Sequence, residues 1–336
     1  GQETDGRAQH IQRKLRAPGQ GTGQHLNRDM CPFGGDIGQR QNHCANHQFL
    51  GEDDLVRNRP AEEHSGDDGG GHGDPRTADI DACFSHGHMC AIVDGVDNLR
   101  KAVRDRFRTG SHAIKIMTSG GVVSLTDPIR LPQYSAEEIQ AVTDEASRRG
   151  SYVAAHAYSP EAIRHSVLNG VRSIEHGNLL DEDTAQLMAE HESFLVPTLA
   201  AYDAMNRRGE LLHLSTISQK KNSEVLEAGQ TAIQTAHAAG VKVGFGSDLM
   251  GELEDDQLCG VRLQIEASGV LETLRSMTTV NSELLRNNRI GVLSPGSAGD
   301  ALILDGNPFE DEAALWDEAR PRTVVQNGHI VHDGFQ

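Results

Sequence analysis

The sequence predicts an α/β fold with a parallel sheet, of the (β/α)8 TIM-barrel type. From Gly70 onwards, short apolar runs of strand length alternate with amphipathic helical segments, and short turns connect them. Alternation with this period favours parallel strands covered by helices. Several of the apolar runs also end on a polar residue that can take part in chemistry. Because the active sites of such barrels lie at the carboxyl ends of the strands, this placement favours a barrel as well.

Lys115 lies in the first of these runs. Residues 113–117 have the length and β-branched character of a buried strand, and residues 118–121 predict the loop that follows it. A lysine in a buried strand is costly unless its charge is compensated or used. Three later runs have the same layout, and they end at His156, His176 and Asp248.

Cap residues and glycines predict where the helices begin and end. Leu99, Val103 and Phe107 are spaced as on one face of a helix over about 96–109. Residues 135–138 have the capping-box pattern, and Ser159-Pro160 provides a second helix start. We expect these two helices to end at Gly150 and Gly170. The other expected elements are helices over about 182–191 and 218–240, a pair of helices over about 258–288, and a strand over 194–199.

The two ends of the chain differ from this pattern. Asn327-Gly328 lies between two β-rich runs and is a strong hairpin signal, so residues 291–336 are expected to form a small β element. Residues 1–71 are rich in Gln, His, Arg, Asn and Gly, and their apolar residues follow neither helical nor strand spacing. This anomalous segment is either a disordered extension or a stretch read in the wrong frame. Residues 72–290 are then expected to form the barrel.

Composition argues against several classes of function. The formal net charge of -18 argues against a nucleic-acid partner. No apolar run of about 18 residues is present, so no membrane partner is expected. The N-terminal residues lack the apolar core of a secretory signal. The 5 cysteines form no compact framework and suit a reducing compartment, so the cytoplasm is the expected location.

Taken one at a time, the polar strand ends have ordinary explanations. A histidine at a strand end is more often a hydrogen-bonded packing residue than a metal ligand. Asp248 fits a turn or a helix cap equally well, and Lys115 can extend its ammonium group out of the strand. Their recurrence at the same position of successive units favours a shared metal site instead.

The chemistry of these side chains restricts how such a site can work. Neutral imidazole and carboxylate are suitable ligands of first-row metals, whereas an ammonium group has no lone pair. Lys115 can therefore ligate only as a neutral amine or as a carbamate formed with CO2, whose two oxygens can bridge two metals. Two metals would polarise a carbonyl and acidify a bridging water. Asp248 could then take a proton from this water and pass it to a leaving amine.

From about Gly70 to its end, the chain resembles the amidohydrolase superfamily. Within it, the chain resembles the binuclear-zinc enzymes known as Xaa-Pro dipeptidases (prolidase-like) and the related carboxypeptidases that act on dipeptides. The ordered set of motifs carries this resemblance, and no single motif does. The matching segments are residues 71–74, 112–117, 119–121, 156–158, 174–178, 246–248 and 299–308.

The resemblance implies a distorted (β/α)8 barrel with a small β-sandwich built from both chain ends. It implies that Lys115 is a carbamylated bridge, that His156 and His176 bind one Zn2+, and that Asp248 is both a ligand and a proton shuttle. It further implies that Tyr158 binds the C-terminal carboxylate of the substrate. His72 would polarise the scissile carbonyl. For Tyr158 barrel packing remains an equal alternative, and for His72 an ordinary loop position is slightly favoured.

The N-terminal part departs from the family pattern. The family places a His-x-His pair at the end of its first barrel strand, and residues 1–71 contain no apolar run that could precede such a pair. His86 and His88 have the spacing but lie in a polar segment downstream of His72. The chain is therefore expected to lack the first barrel strands, the ligands of one zinc and half of the small domain.

These observations predict a metal-dependent amidohydrolase that cleaves an amide bond in a small substrate. The expected partner is a dipeptide with a free carboxylate, such as Xaa-Pro, and association into a homo-oligomer stays open. Two alternatives remain. The first is a lactonase or deaminase of the same superfamily, and the second is a truncated, non-catalytic remnant that binds at most one zinc.

Overall fold

Seven parallel strands form the central sheet of the computed structural model, which describes residues 55–57, 90–209, 212 and 214–336. The strand order is β2-β1-β3-β4-β5-β6-β7, and every hydrogen-bonded pair is parallel. This sheet confirms the predicted parallel α/β fold. The strands are β1 (Leu55–Arg57), β2 (Cys90–Ile92), β3 (Ile114–Met117), β4 (Val153–Ala157), β5 (Ser173–His176), β6 (Phe194–Val196) and β7 (Lys242–Val243).

The first strand falls within the segment for which the sequence predicts no regular element. Residues 55–57 pair with β2 on one side and with β3 on the other. Three residues are too few to show a strand period, so only pairing with distant segments reveals this strand. His72 and the pair His86 and His88 lie outside the described residues, as does the rest of residues 1–71.

Helices connect the strands on the described part of the chain. One helix lies between each two successive strands from β2 to β6, and two helices lie between β6 and β7. The helices are α1 (Val96–Thr109), α2 (Ala136–Arg148), α3 (Pro160–Leu168), α4 (Glu182–Glu190), α5 (Leu199–Arg208), α6 (Thr216–Ala239), α7 (Gln257–Arg275), α8 (Asn281–Leu284) and α9 (Ala313–Trp316). Over the described ranges, every helix is too short or too polar to span a bilayer.

The caps form as their residue types predict. The Ser135 hydroxyl accepts from the backbone N–H of Glu138, and the Glu138 carboxylate accepts from the backbone N–H of Ser135. Ser159 caps α3 in the same way, accepting from Ala162 N–H with Pro160 in the first turn. Helices α2 and α3 end at Arg148 and Leu168, shortly before the predicted glycines, which adopt positive φ.

Two expected elements between residues 194 and 248 differ from the structure. The strand predicted over 194–199 ends at Val196, and α5, which the sequence did not predict, begins at Leu199. Pro197 lacks the N–H that would continue the ladder, and Thr198 adopts a left-handed conformation with φ 48. The strand predicted over 241–248 ends at Val243. Beyond it, the side-chain amide of Asn281 bonds both backbone groups of Phe245 in place of a neighbouring strand.

The main apolar core joins one face of the sheet to the surrounding helices. Strand residues such as Ile114, Ile116 and Ile174 are fully buried there, and they pack with Ile139 of α2 and Ile233 of α6. The alternate residues of β3, Lys115 and Met117, are only partly buried. The period of two in β3 therefore places Lys115 on the face opposite to this core.

The tail forms a small antiparallel sheet in the order β10-β9-β8. Its strands are β8 (Ala301–Leu304), β9 (Arg322–Gln326) and β10 (His329–Asp333). Asn327 and Gly328, with φ 51 and φ 78, connect β9 to β10, which confirms the predicted hairpin. Three large apolar side chains on this sheet are about half exposed, namely Leu302, Ile303 and Ile330 at 46%, 51% and 63%.

Ion pairs between Glu145 of α2 and two arginines of α1 hold these two helices together. The side chain of Glu145 is only 7% exposed and accepts hydrogen bonds from Arg104 at 2.6 and 3.0 Å and from Arg100 at 3.2 Å. The hydrogen bond from Arg104 lowers the pKa of Glu145 to about 2, although burial opposes this shift.

We expect this carboxylate to make the stability of the fold depend on pH. Because the pKa of Glu145 is lower in the folded chain than its ordinary value of 4.5, its stabilising effect is present above the ordinary pKa and is lost as pH falls towards 2. Glu145→Gln should lower the free energy of unfolding by about 1 kcal/mol near neutral pH, since Arg104 is half in solvent. Urea unfolding at about pH 6 and about pH 3 checks this, because the difference from the parent should shrink at the lower pH.

Asp144→Asn is the matched control for Glu145→Gln. Asp144 is the neighbouring acidic residue on α2, is 56% exposed and lies 3.4 Å from Arg100. Its substitution should change the free energy of unfolding by less than about 0.5 kcal/mol. An equal loss for both variants, or a Glu145→Gln difference that does not change with pH, contradicts the assignment.

Candidate active site

Neighbouring parallel strands bring three of the predicted site residues to one edge of the sheet. Met117 at the end of β3 is opposite His156, and Ala157 at the end of β4 is opposite His176. Lys115 lies two residues before the end of β3, on the same face as Met117. Asp248 lies beyond β7, whose backbone neighbour is β6. The carboxyl ends of the strands are therefore where these side chains gather.

The two histidines are buried and in contact. Their ring centroids are 4.5 Å apart and their planes are inclined by 75°. In the strand register His156 is opposite Glu175, so a regular strand would direct His176, the next residue, to the other face. His176 instead adopts φ 78, a conformation that is rare for residues other than glycine. This left-handed residue ends β5 and accounts for the contact between the two rings.

Each ring has one nitrogen in a hydrogen bond. Nε2 of His156 lies 3.1 Å from the carbonyl oxygen of Gly120, and because a carbonyl can only accept, this nitrogen donates. In the neutral ring the lone pair of His156 is then on Nδ1. At His176, Nδ1 lies 2.7 Å from the hydroxyl of Thr198. Burial, followed by the effects of His156 and Lys115, lowers the pKa of His176 well below its ordinary value, so this ring is neutral.

A chain of hydroxyl groups continues from His176. Tyr158 stacks on the His176 ring at 5.1 Å, and its hydroxyl lies 2.9 Å from that of Tyr202. Burial raises the pKa of both phenols, which are therefore neutral. The hydrogen bond with Thr198 opposes this rise in the pKa of Tyr202, and the hydrogen bond with Tyr202 opposes it in that of Tyr158.

Thr198 connects the histidine to the tyrosine pair. Its hydroxyl lies 2.7 Å from Nδ1 of His176 and also forms a hydrogen bond with Tyr202. In the pair of Tyr158 and Tyr202, either hydroxyl can be the donor. Sequence analysis identified Tyr158 but neither Thr198 nor Tyr202. It included Thr198 in the strand predicted over 194–199, and Tyr202 follows this run in a segment without a predicted element.

Charged groups act on the same buried region. Burial raises the pKa of Glu175, while the positive charge of Lys115 and a hydrogen bond from Ser173 oppose this rise. The negative charge of Asp248 adds to the pKa increase of Glu175, Tyr158 and Tyr202. Sequence analysis assigned no role to Glu175. The signal was a carboxylate within an apolar strand, and its meaning depends on Lys115, which lies on another strand.

The donor set agrees with a metal site but is incomplete in one respect. His156 and His176 supply adjacent imidazoles and Asp248 supplies a carboxylate, and these are ligand types of first-row metals. Within the described ranges, however, no three side chains of His, Cys, Asp or Glu converge to hold an ion. Lys115 is not a ligand as an ammonium group, and His72 lies outside the described residues.

Comparison with known proteins is consistent with this arrangement. Residues 71–331, most of the chain, match the Amidohydrolase family. The ochratoxinase of Aspergillus niger is 31% identical over 256 residues, which are 74% of this chain and 52% of that protein. The chain thus spans about half the length of this relative.

Solved structures of similar fold include two dipeptidases. A prolidase in complex with N-methylphosphonate-L-proline is 42% identical with a TM-score of 0.74, over 83% of this chain and 68% of that one. A Xaa-Pro dipeptidase with methionine bound in its active site is 29% identical with a TM-score of 0.65, over 72% and 60%. With the family match over residues 71–331, these similarities show that the chain belongs to the amidohydrolase family.

Proposed function

We propose that this chain is a zinc-dependent amidohydrolase that cleaves the amide bond of a dipeptide with a free C-terminal carboxylate, such as Xaa-Pro. Family membership and the prolidase and ochratoxinase neighbours support a metal-dependent hydrolase of C–N bonds. The observation that carries the proposal is the contact between His156 and His176, 4.5 Å between ring centroids, with Gly120 and Thr198 each holding one ring by a hydrogen bond. Two imidazoles held in this way suit a metal ion better than they suit apolar packing.

His156 and His176 would hold one zinc, and Asp248 would be a further ligand. Lys115 would complete the set as a carbamate, formed when its neutral amine adds CO2 and releases a proton. The absence of a three-ligand cluster of His, Cys, Asp and Glu among the described residues agrees with a need for this additional ligand. Bound zinc supplies a Lewis acid that polarises the carbonyl and acidifies water.

The chain's own residues would bind the substrate and move the proton. The Tyr158 hydroxyl, which lies 2.9 Å from that of Tyr202, would donate to the C-terminal carboxylate of the dipeptide. Asp248, whose negative charge acts on this region, would take a proton on its carboxylate and return it to the leaving nitrogen. For His72 we keep the proposal that it polarises the scissile carbonyl.

The proposal extends to the finer features of the fold. Residues 72–290 would close into a distorted (β/α)8 barrel, and residues 291–336 would form part of a small β-sandwich. The half-exposed side chains of Leu302, Ile303 and Ile330 support a second layer on the small sheet. A cytoplasmic location and association into a homo-oligomer stay predictions.

The alternatives differ in what they turn over and bind. The ochratoxinase neighbour supports the wider class of amide hydrolases, and a lactonase or deaminase of the same superfamily stays a second candidate. A panel of dipeptides, lactones and amino-heterocycles separates them. The third candidate is a non-catalytic remnant that binds at most one zinc.

Metal content distinguishes the enzyme from the remnant. After reconstitution with zinc and bicarbonate, the enzyme should hold about two zinc ions per chain, as binuclear hydrolases do. His176→Ala should remove at least half of this zinc, whereas His191→Ala, which changes an exposed histidine after α4, should remove none. Elemental analysis of the desalted protein measures this. A zinc content near zero in the parent chain supports the remnant.

Asp248 tests the proton step separately from metal binding. Asp248→Asn keeps an oxygen that can ligate but cannot take a proton, so turnover of a dipeptide should fall by at least about 100-fold while most zinc is retained. Steady-state assays and zinc analysis on the same preparation check both parts. Turnover within about threefold of the parent rules out this role for Asp248.

Tyr202 tests whether the pair of hydroxyls positions Tyr158. Tyr202→Phe removes the hydrogen-bond partner of the Tyr158 hydroxyl, so KM for a dipeptide should rise about three- to tenfold while kcat changes by less than about twofold. Tyr152→Phe is the matched control, because Tyr152 precedes β4 at the opposite end of the strand. A dipeptide amide, which lacks the carboxylate, should show no such change in KM. An equal effect on both substrates contradicts carboxylate binding by Tyr158.

A further inference from the structure

The loop after β3 is attached to one face of helix α6. This β3–α2 loop, residues 118–135, carries the Gly120 whose carbonyl faces His156. Residues spaced three apart on α6 contact it, and residues at this spacing share a helix face. The Ser218 hydroxyl donates to the carbonyl of Val123, and Glu224 pairs with Arg130. Between them on the helix lies Lys221.

Lys221 makes the largest set of these contacts. Its ammonium group donates to the backbone carbonyls of Gly121 at 3.1 Å, Ser124 at 2.7 Å and Asp127 at 2.7 Å. An ammonium group has three hydrogens, so these bonds use its full donor capacity. The loop is thus bent into an arc around one cation. Burial lowers the pKa of Lys221, and the negative charge of Asp127 opposes this shift.

The two ends of this arc meet beside the candidate ligand His156. A Cβ atom on Gly120 would lie 2.5 Å from the backbone of Asp127 and of Pro128, so the returning part of the loop is in backbone contact with Gly120. A Cβ on Gly121 would lie 3.9 Å from Nε2 of His156. Holding the carbonyls of Gly121 and Asp127 therefore holds Gly120, which accepts from His156 at 3.1 Å.

We propose that Lys221 is a positioning residue that holds the β3–α2 loop against the mouth of the sheet and thereby fixes the Gly120 carbonyl at His156. The part of this inference that concerns substrate binding rests on the proposed function, whereas the part that concerns the loop does not. Without the cation, three carbonyls directed at one point would lose their donor and repel one another.

Apolar packing is the alternative explanation for the position of this loop. Val122 and Ile129 of the loop are buried against Val225 of α6, together with Tyr158 and Tyr202. If packing alone holds the loop, removal of the Lys221 charge leaves it in place. The loop should then open no more often than in the parent chain.

The test compares neighbouring lysines of the full-length chain. Lys221→Met keeps the aliphatic stem and removes the charge, and Lys220→Met makes the same change at an exposed position on the same helix. Hydrogen exchange of the backbone amides of residues 121–134 and trypsin cleavage after Arg130, an exposed loop residue, report on the loop directly. Thermal unfolding shows whether each variant is folded.

For Lys221→Met we expect exchange in the loop and cleavage after Arg130 to accelerate about tenfold or more, with unchanged exchange in α2 and in the core strands. Lys220→Met should stay within about twofold of the parent. Glu224→Gln, which removes an exposed ion pair from the same helix face, should have a smaller effect than Lys221→Met.

The catalytic readout is separate from the loop readout. A chain that hydrolyses a dipeptide should show an increase of about tenfold in KM on Lys221→Met with a smaller change in kcat, because the loop borders the substrate mouth. Loop exchange within about twofold of the parent, or an equal effect of Glu224→Gln, overturns the proposal. Faster loop exchange in a chain without hydrolysis upholds the loop part and counts against the proposed function alone.

Discussion

Polar groups buried at the carboxyl edge of the parallel sheet each need a hydrogen-bond partner, and this requirement organises the rest of the site. His156 finds a carbonyl in the β3–α2 loop, and His176 finds the hydroxyl of Thr198. Thr198 also forms a hydrogen bond with Tyr202. Each partner comes from a different segment, so the orientation of one imidazole depends on the position of its neighbours. A metal ligand whose second nitrogen is held in this way is orientated before an ion arrives.

Strained backbone accompanies these contacts. His176, Thr198 and Asp248 adopt φ values of 78, 48 and 52, which cost of order 1–3 kcal/mol for residues other than glycine. Such conformations persist only where the surroundings determine them fully. Here the strain ends two strands abruptly and brings His176 beside His156, against the alternation of β5. The loop that Lys221 holds covers the same part of the sheet. Strained residues thus arrange the candidate ligands, and hydrogen bonds to backbone carbonyls hold the loop over them.

Much of the fold was predictable because its signals are local. The capping box at Ser135 and the Asn327-Gly328 turn each act within a few residues, and the structure confirms both. Helix α5 was missed because Pro197 and Thr198 end β6 earlier than its apolar pattern indicates. Strand β1 was missed because its three residues are defined only by pairing with β2 and β3.

By itself, the sequence determined which chemical groups are available and on which elements they lie. It placed Lys115, His156 and His176 in strands, because apolar period and turn residues are properties of the local chain, and it extended the strand before Asp248 five residues too far. Only the tertiary structure decided which of these groups interact. The effect of the Lys115 charge on Glu175, the hydrogen bond between Tyr202 and Tyr158 and the bonds from Lys221 to three carbonyls all join distant segments. Their energies depend on distance and burial, which no stretch of sequence contains alone.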